Sequence, residues 1–556
     1  MLNEYQKQAV EHFRGPCLTI APPGSGKTKC LVERVMHLIW VHHCEPDKIL
    51  VVTFTKDAAC EMKERFCKEF SSDEKLPFFG TFHSLFYHIL KEEYHLGHAS
   101  IMTSGKAYLL LKKAFFETKE SYDNIPLSDV LKELSYCINN GIKVEEYASV
   151  TLKNKFVKIV RAYERLKEEE GVIDFDDMMT KVYELFIHNP KILQKWQNRF
   201  SFVLLDEMQD INQLQFDIIK LLLTKEENIF AVGDDDQSIY EFRGSKPQIM
   251  LDFKKTFPKA SIITLEMNYR SLRQIISCAN HLIRNNHSRY EKNAKGFLKE
   301  YGKVTYLQFE DEMQQALGII QKIETMKENR SLGVLYRNKS DVFLLTQLLE
   351  WKHIPYFSKE IINQKLTYSV VSDMIAYFKK GYGIEEDSTI KEDVSALRNL
   401  SFYAGVNYIR KGLGYDRKLL KMYENAPYLY EGAMELCNLI QEEMGKFKKG
   451  EAILTVISHL ESFQVSQKYL IKDKNEAKVC LYTFHGSKGL EFDEVVCINI
   501  NEGIVPSMYN EMGLEEERRM FYVAITRAKF SLTISCIKNR GGKPYQPSRF
   551  INEMKY

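Results

Sequence analysis

Residues 21–28 read Ala-Pro-Pro-Gly-Ser-Gly-Lys-Thr, and this stretch constrains the fold more than any other part of the chain. The apolar run Cys17–Ile20 precedes it and predicts a strand. Residues 29–40 follow it and place their apolar side chains on one face of a helix. A strand, a glycine-rich turn and a helix in this order form the setting in which backbone N–H groups and a helix N-terminus bind phosphate. The stretch therefore predicts a nucleotide-binding α/β domain.

Several positions of this loop have a defined chemical role in such a site. Gly24 and Gly26 let backbone N–H groups close around phosphates, Lys27 reaches the outer phosphates, and Thr28 supplies a hydroxyl for Mg²⁺. The usual pattern has glycine at its first position, where this chain has Ala21, so the match is to a variant. The alternative is a turn that only connects a strand to a helix, and the Lys-Thr pair in register argues against it. The predicted nucleotide-binding residues of the loop are Ala21, Pro22, Pro23, Gly24, Ser25, Gly26, Lys27 and Thr28.

Length and composition set outer limits on the class of protein. A chain of 556 residues exceeds one hydrophobic core, so three or four domains are expected. The net charge of +2 arises from 77 basic and 75 acidic residues, so any contact with nucleic acid must be local. Eleven cysteines without a C-x-x-C pair argue against a zinc ribbon or a redox motif and favour reduced thiols. The polar N-terminus and the lack of a long apolar run predict a cytoplasmic protein without a membrane partner.

The strand signals fall into two sets, which predict an α/β fold with two parallel-sheet domains. Apolar strand runs occur at 49–53, 202–206, 229–232 and 262–265, and again at 304–307, 333–336, 479–484, 495–500 and 531–536. Charged helical patterns with few strand signals interrupt each set. The predicted domains are a first sheet domain at 1–91 and 186–265 with a helical insertion at 92–185, and a second at 266–383 and 476–556 with a shorter helical insertion at 384–475.

Asp206 and Glu207 follow a strand and form a pair of acids suited to magnesium and water. Asp206 is expected to hold the metal and Glu207 to orient the attacking water, because phosphate hydrolysis needs charge neutralisation and a positioned nucleophile. The alternative is a solvated surface pair, which the preceding strand and the phosphate loop disfavour.

Residues 233–244 combine four acids, a glutamine and aromatic side chains. Gln237 can hydrogen-bond a terminal phosphate or its water, and Phe242 offers a face on which a base can stack. An acidic turn with a core phenylalanine is the alternative.

Arg270 and Arg527 are candidate arginine fingers, which cancel charge on the transferred phosphoryl group. A meeting of Arg527 with Lys27, 500 residues earlier, would require the two sheet domains to close over ATP. Residues 483–492 mix hydroxyl, imidazole and charged groups, so Thr483, His485 and Lys488 could contact DNA phosphate and Glu491 a nucleotide sugar. Salt-bridge arginines and a plain strand-to-helix turn remain the alternatives.

Taken in order, these stretches resemble the UvrD, PcrA and Rep family of superfamily 1 DNA helicases, over residues 2–529. The set consists of Leu2-Asn3-x-x-Gln6, the phosphate loop, Thr53-Phe54-Thr55 with Ala58-Ala59-x-Glu61-Met62, Gly80-Thr81-Phe82-His83, Asp206-Glu207-x-Gln209-Asp210, residues 233–244, Asn268-Tyr269-Arg270-Ser271, residues 485–492, Glu502-Gly503-x-x-Pro506 and residues 515–528. Ten ordered motifs make the resemblance specific.

The resemblance implies two RecA-like motor domains that use ATP and Mg²⁺ to move along single-stranded DNA in the 3′-to-5′ direction and to act on tailed duplexes. By it, Gln6 reads adenine, Tyr269 stacks on it, Lys29 lies near the base edge, and Glu491 lies at the sugar. The implied catalytic residues are Lys27, Asp206, Glu207, Gln237, Arg270 and Arg527, with Thr28 and Asp206 at the metal. The implied DNA-binding residues are Phe54, Thr55, His83, Phe242, Thr483 and His485.

Departures from the family pattern limit what the resemblance implies. Lys29 stands where arginine is common, Phe242 where tryptophan is usual, and Gly486 where serine or alanine is frequent. The second insertion is short for the family, so translocation is a firmer expectation than unwinding by the isolated chain. The expected function is an ATP-dependent helicase or translocase in DNA repair, recombination or replication. The alternatives are a translocase that displaces proteins or feeds DNA to a separate nuclease, with an unidentified protein partner, and a nucleotide-gated DNA-binding scaffold.

Overall fold

The computed structural model describes residues 2–70, 75–95, 97, 100–122, 125–300, 302–359, 364–385, 389–424, 427–462, 469–471, 473–507, 513–540 and 542–555. The chain divides into two compact units. The first unit comprises Met1–Arg270 and Asn286–Phe297, and the second comprises Ser271–Asn285 and Leu298–Tyr556.

The first unit contains a six-stranded parallel sheet. Its strands are β1 (Cys17–Ile20), β2 (Ile49–Thr53), β3 (Phe78–Thr81), β4 (Phe202–Leu205), β5 (Ile229–Gly233) and β6 (Ser261–Thr264). Their order across the sheet is β3-β2-β4-β5-β1-β6, and every neighbouring pair is parallel. The loops that follow β4, β5 and β1 therefore emerge side by side at the carboxyl edge of the sheet, where ligands of open α/β sheets bind.

Helices cover both faces of this sheet. The helices of the first unit are α1 (Glu4–Glu11), α2 (Lys27–Trp40), α3 (Lys56–Glu69), α4 (Phe82–Tyr94), α5 (Ser104–Glu117), α6 (Leu127–Asn140), α7 (Phe156–Glu169), α8 (Phe175–His188), α9 (Pro190–Arg199), α10 (Gln213–Leu222), α11 (Pro247–Leu251) and α12 (Phe253–Thr256). Alternate strand residues enter two apolar cores, with Leu18 and Ile20 in one and Cys17 in the other. This two-sided burial is why the strands read as continuous apolar runs. Two short parallel strands, β7 (Met267–Asn268) and β8 (Lys295–Gly296), complete the unit.

The helices between β3 and β4 divide between two cores. Helices α5, α6 and α7 enclose an apolar core of their own, which includes Leu111, Leu134 and Phe156. Helix α8 instead contributes Met179 and Val182 to a core of the sheet. The separate helical core thus ends before α8.

The second unit contains another six-stranded parallel sheet. Its strands are β9 (Lys303–Phe309), β10 (Leu332–Tyr336), β11 (Tyr356–Ser358), β12 (Val479–Thr483), β13 (Phe492–Cys497) and β14 (Ala528–Ile537). Their order is β11-β12-β10-β13-β14-β9, again with parallel neighbours. Strands β15 (Asn539–Arg540) and β16 (Lys543–Pro544) pair in the antiparallel sense. Two parallel sheets, one in each unit, confirm the predicted fold class.

The helices of the second unit are α13 (Arg273–Ile283), α14 (Glu312–Thr325), α15 (Phe343–Trp351), α16 (Gln364–Tyr382), α17 (Phe402–Asn407), α18 (Tyr415–Met422), α19 (Pro427–Met444), α20 (Ile453–Ser462), α21 (Leu514–Ile525) and α22 (Arg549–Glu553). Helices α16 to α20 lie between β11 and β12, and their buried residues join a single core with the sheet. Phe378, Leu436 and Val456 belong to the same cluster as Val334 and Leu481. None of the helices in the described part of the chain combines the length and apolar character needed to cross a lipid bilayer.

Candidate nucleotide-binding site

The loop after β1 adopts a conformation that requires its glycines. Gly24 and Gly26 have φ angles of +72° and +86°, in the left-handed region that side chains disfavour. A Cβ atom on Gly24 would also lie only 2.7 Å from Arg270 Cβ. Gly26 caps α2, and its carbonyl accepts the N–H of Cys30 at 3.0 Å. The Ala21 N–H donates to the Gly233 carbonyl at 2.8 Å and ties the loop to the end of β5.

Lys27 links this loop to the acids at the end of β4. Its Nζ donates to Glu207 Oε1 at 2.8 Å. Asp206 Oδ2 accepts a hydrogen bond from Thr53 Oγ1 at 3.2 Å, whereas its buried Oδ1 has no hydrogen-bond partner among the described residues. A buried carboxylate oxygen without a donor fits a hard cation, which prefers oxygen ligands. Within the described part of the chain no three His, Cys, Asp or Glu side chains cluster as metal ligands, so a metal here would also need phosphate or water oxygens.

The charges of this cluster perturb one another. Burial, with the adjacent Glu207 carboxylate, raises the pKa of Asp206 to about 7, and Lys27 opposes that rise. Burial alone would lower the pKa of Lys27, but Glu207, Asp206 and Asp234 outweigh it, and the pKa lies above its ordinary value. Lys27 therefore stays cationic, and further positive charge near Asp206 would favour its ionised form.

Glu207 is held in an unusual backbone conformation. Its φ of +52° is uncommon for a residue with a side chain and costs roughly 1–3 kcal/mol. Gln209 donates from Nε2 to Glu207 Oε2, while its Oε1 accepts the Asp234 N–H at 2.9 Å. Gln209, which was not predicted as a site residue, thus joins the loops after β4 and β5. Its place two residues after Glu207 in a recognised motif was the available signal.

Gln237 lies in the loop after β5. It ends a turn of 3₁₀-helix, Asp235–Gln237, and its side chain is buried. Gln237 Nε2 donates to Asp234 Oδ2 at 2.7 Å, so Asp234 fixes the direction of the amide.

Residues from α1 and from the chain after β6 contact the same loop. Gln6 Nε2 donates to the Ser25 carbonyl at 2.9 Å, and Asn3 both caps α1 and donates to Tyr269 Oη at 2.8 Å. The Tyr269 N–H donates to the Gly24 carbonyl at 2.8 Å. The structure thus brings Gln6, Tyr269 and the loop together.

Asn268 and Arg270 lie on either side of Tyr269 in the sequence. Asn268 contacts the loop, and Arg270 contacts Asn268. Asn268 Nδ2 donates to the Pro23 carbonyl, and its Oδ1 accepts the Arg270 N–H, each at 2.8 Å. Asn3 and Asn268 belong to the predicted motifs, but the sequence alone does not predict a role for them at the loop. Lys29, one residue after Thr28, is exposed on α2.

Exposed aromatic rings lie near other predicted residues of the first unit. Phe54 stacks on Tyr240 with ring centroids 5.3 Å apart, and the ring of Phe242, 6.2 Å from Tyr240, is 58 % exposed. His83 meets the edge of Phe175 at 5.2 Å, and Phe175 is 57 % exposed. Burial lowers the pKa of His83, which favours a neutral imidazole at pH 7. Tyr240 and Phe175 were not predicted as site residues, because the sequence alone does not show which aromatic side chains reach the surface.

Thr55 has a structural contact of its own. It caps α3, because its Oγ1 accepts the Ala58 N–H at 3.2 Å. Its hydroxyl therefore already satisfies a free N–H at a helix N-terminus.

The remaining predicted residues belong to the second unit. Thr483 ends β12 and accepts the Gly486 N–H at 3.1 Å, His485 begins the turn that follows, and Glu491 pairs with Lys529 at 2.7 Å. The buried Arg527 donates from Nε to the Val523 carbonyl at 2.8 Å and from Nη1 to the Leu490 carbonyl at 3.3 Å. Lys27 belongs to the first unit, whereas Arg527 belongs to the second.

Two six-stranded parallel sheets, the first with a glycine-dependent loop and a lysine–carboxylate pair at its carboxyl edge, define an α/β protein with two RecA-like domains. Family comparison makes this class more specific. The UvrD/REP helicase N-terminal domain matches residues 2–258, and the UvrD-like helicase C-terminal domain matches residues 263–392 and 389–539.

Individual relatives match along the whole chain. The chain is 32 % identical to the protein YjcD of Bacillus subtilis (strain 168), with 99 % of the chain and 80 % of YjcD covered. It is 31 % identical to ATP-dependent DNA helicase Rep of Buchnera aphidicola subsp. Acyrthosiphon pisum (strain APS), with 100 % and 98 % covered. It is 28 % identical to DNA helicase II of Escherichia coli (strain K12), with 100 % and 87 % covered. The chain belongs to the UvrD/Rep helicase family.

Proposed function

We propose that this chain moves along single-stranded DNA in the 3′-to-5′ direction, driven by ATP hydrolysis at the loop of residues 21–28. As a member of the UvrD/Rep helicase family, it is an ATP-dependent DNA helicase. The observation that carries the mechanism is the 2.8 Å contact between Lys27 Nζ and Glu207 Oε1. It joins a residue suited to bind phosphate to a residue suited to orient water.

Lys27 is proposed to donate to the outer phosphates of ATP. ATP then competes with Glu207 for the ammonium group, which leaves the Glu207 carboxylate available to orient water. Gln209 keeps that carboxylate in place, because it bonds the second carboxylate oxygen. Because Lys27 leaves Glu207 when it binds phosphate, phosphate binding frees the Glu207 carboxylate to orient the attacking water.

We propose that Thr28 and Asp206 hold Mg²⁺. The Asp206 Oδ1 atom supports this assignment, because it is buried and lacks a hydrogen-bond donor among the described residues. Bound Mg²⁺ supplies positive charge that neutralises the phosphate oxygens. Gln237 is proposed to contact the terminal phosphate or its water, and Arg270 and Arg527 to offset the charge of the transferred phosphoryl group.

Adenine and sugar recognition is proposed for Gln6, Tyr269 and Glu491. The contacts of Gln6 with Ser25 and of Tyr269 with Gly24 support the first two assignments, because both residues are fixed to the loop. The Tyr269 contact uses the backbone N–H, so the ring, whose centroid lies 4.9 Å from that of Phe297, is proposed to stack on adenine.

Single-stranded DNA is proposed to contact Phe54, Thr55, His83, Phe242, Thr483 and His485, with Phe175 and Tyr240 as additional aromatic residues. Exposed rings support stacking, which contributes about 1–3 kcal/mol per base in single-strand binding. Tailed duplexes are the proposed substrates, and repair, recombination or replication are the proposed settings.

The proposed domains keep the boundaries predicted from the sequence. The first motor domain is 1–91 and 186–265, with its helical insertion at 92–185. The second motor domain is 266–383 and 476–556, with its helical insertion at 384–475.

Two assays with one variant test this function. The full chain should hydrolyse ATP faster with single-stranded DNA and displace the strand of a 3′-tailed duplex but not of a 5′-tailed one. Lys27→Ala should lose nearly all ATP hydrolysis while its unfolding temperature stays close to that of the wild type. A wild-type chain without DNA-stimulated hydrolysis would contradict the motor, and preference for a 5′ tail would contradict the polarity.

A second candidate function is translocation without unwinding, in a chain that displaces bound proteins or feeds DNA to a separate nuclease. The observation that favours it is the compact second helical segment, whose buried residues share one core with the second sheet. Displacement of a labelled protein from single-stranded DNA, without strand separation on tailed duplexes, would support this function over the first.

A further inference from the structure

A group of buried charged side chains includes Asp234, which contacts Gln237. The group also includes side chains from residues 286–297, which none of the predicted motifs covers. Residues 286–297 belong to the first unit, although the residues on both sides of them belong to the second. Lys292 Nζ lies 2.9 Å from Asp234 Oδ1 and 3.0 Å from Asp236 Oδ2, and it also pairs with Asp235. Arg289 donates two hydrogen bonds to Asp236, at 2.9 and 2.7 Å.

Asp234 connects this group to the nucleotide site. One oxygen of its carboxylate meets Lys292, and the other accepts Gln237 Nε2 at 2.7 Å. We propose that Lys292 is a positioning residue for ATP hydrolysis, which fixes the Asp234 carboxylate and through it the side chain of Gln237. This inference rests on the proposed role of Gln237 at the terminal phosphate.

Because these side chains are buried, the three aspartates need the positive charge of Lys292. Its side chain is 3 % exposed, and the side chains of the three aspartates are at most 1 % exposed. Buried charges are tolerated only when they are paired. Lys292 reaches all three carboxylates, whereas Arg289 donates two hydrogen bonds to Asp236. Loss of Lys292 would therefore leave Asp234 facing two other acids without this cation. Only the Asp236 N–H, at 3.3 Å, is then described as donating to the same Asp234 oxygen, so the carboxylate would turn.

Rotation of Asp234 changes what Gln237 can do. A rotated Asp234 carboxylate no longer presents the same oxygen to Gln237 Nε2, so the amide loses this hydrogen bond and the direction that it fixes. Small misplacements of a positioning group typically lower a rate by about 10²-fold. ATP affinity should change little, because in the described part of the chain Lys292 pairs with Asp234, Asp235 and Asp236 and not with residues 21–28.

The test is a double-mutant cycle on DNA-stimulated ATP hydrolysis by the full chain. Lys292→Met should lower kcat by about 100-fold and change KM for ATP by less than about threefold. Gln237→Ala alone and Gln237→Ala with Lys292→Met should have the same kcat, because Lys292 acts through Gln237. Lys295→Met is the matched control, since this lysine lies three positions further on and forms an exposed ion pair with Glu266.

A compensated variant separates positioning from folding. In Lys292→Met with Asp235→Asn one acid is neutralised along with the lysine, so the buried group keeps its net charge. This double variant should fold and still show the loss of kcat, compared with Asp235→Asn alone. Recovery of wild-type kcat in it would overturn the proposal, because charge balance alone would then matter.

The remaining outcomes are distinct from one another. A kcat of Lys292→Met within twofold of an active wild type, or losses that multiply in the cycle with Gln237→Ala, would overturn the positioning role alone. A wild-type chain that fails to hydrolyse ATP would instead overturn the proposed function, and this inference with it.

Discussion

At the scale of single residues, Glu207 combines a strained backbone with a carboxylate held from two sides. Its φ of +52° favours glycine or asparagine at this position, yet the side chain meets Lys27 and Gln209. Strain of this kind persists where the surrounding structure fixes it and the side chain has a use. We therefore expect the carboxylate to serve chemistry and not folding.

Glu207→Gln tests that expectation. The amide keeps the shape of the side chain but carries no negative charge with which to orient or deprotonate water. DNA-stimulated ATP hydrolysis should fall by about 10²- to 10⁴-fold, the usual range for loss of a general base. Binding of a fluorescent ATP analogue should be retained and should saturate at micromolar to millimolar concentrations, as for the wild type.

The matched control is Glu69→Gln, because Glu69 is an exposed acid at the end of α3. It should hydrolyse ATP at the wild-type rate. Unchanged turnover in Glu207→Gln would instead favour the nucleotide-gated scaffold, in which ATP occupancy alone sets the affinity for DNA.

The site residues that could be predicted from the sequence are those that follow an apolar strand run or a glycine-rich loop. Lys27, Asp206 and Glu207 each follow a strand run within a few positions, and the structure brings them together. Gln209 was indicated only by its place in the motif after β4, and Lys292 could not be indicated in this way. Their importance depends on partners far away in sequence, such as the Asp234 carboxylate that Lys292 meets 58 residues earlier.

At the scale of elements, strands buried on both faces were predicted closely, and strands with polar ends were not. Ile49–Thr53 was predicted with the observed bounds. The predicted strand at 495–500 is instead β13, Phe492–Cys497, whose second and third residues are the acids Asp493 and Glu494. Asp493 accepts the Ser331 N–H at 2.9 Å, and Glu494 pairs with Lys322 at 2.6 Å. Partners from other elements stabilise these acids in a strand, and an apolar pattern cannot reveal such partners.

The packing of α6 against α8 gives a prediction about pH. Burial raises the pKa of Asp176 on α8 to about 6, and hydrogen bonds from Ser135 and Asn139 of α6 oppose that rise. An acid whose folded pKa is raised binds more protons in the folded state, so stability falls as the pH rises from about 4 through 6. Asp176→Asn removes this loss and should gain roughly 1–2 kcal/mol at pH 8, because the carboxylate keeps partial contact with water.

Denaturant unfolding at pH 5 and pH 8 measures this effect. The gain from Asp176→Asn should be smaller at pH 5 than at pH 8. Asp129→Asn on α6 is the control, because Asp129 forms an exposed pair with Lys132, and its effect should stay within about 0.5 kcal/mol. Equal effects of Asp176→Asn at the two pH values would show that the ionised carboxylate carries no cost.

At the scale of the whole molecule, the chain passes between its two units three times within residues 270–298. The predicted boundary at residue 266 assigns Asn268, Tyr269 and Arg270 to the second domain. In the structure these residues belong to the first unit, where Asn268 bonds Pro23 and Tyr269 bonds Gly24. Strand periodicity does not show these hydrogen bonds, because they join Asn268 and Tyr269 to a loop more than 240 residues earlier.

The dependence of hydrolysis on both units can be tested at Arg527. This arginine belongs to the second unit, and its guanidinium is held by the carbonyls of Val523 and Leu490. Arg527→Lys keeps the positive charge but loses the planar group that donates in several directions at once. If Arg527 acts on the phosphate bound by the first unit, DNA-stimulated ATP hydrolysis should fall by about 10³-fold or more.

Two further measurements make the Arg527 result specific. Affinity for single-stranded DNA in Arg527→Lys should stay within about threefold of the wild type, since a phosphoryl-directed arginine acts on rate and not on the DNA strand. Arg549→Lys, which alters an exposed ion pair with Glu502 in the same unit, should leave hydrolysis unchanged. Hydrolysis by Arg527→Lys at the wild-type rate would mean that the first unit completes the reaction by itself, and strand movement would then need a source of coupling other than this arginine.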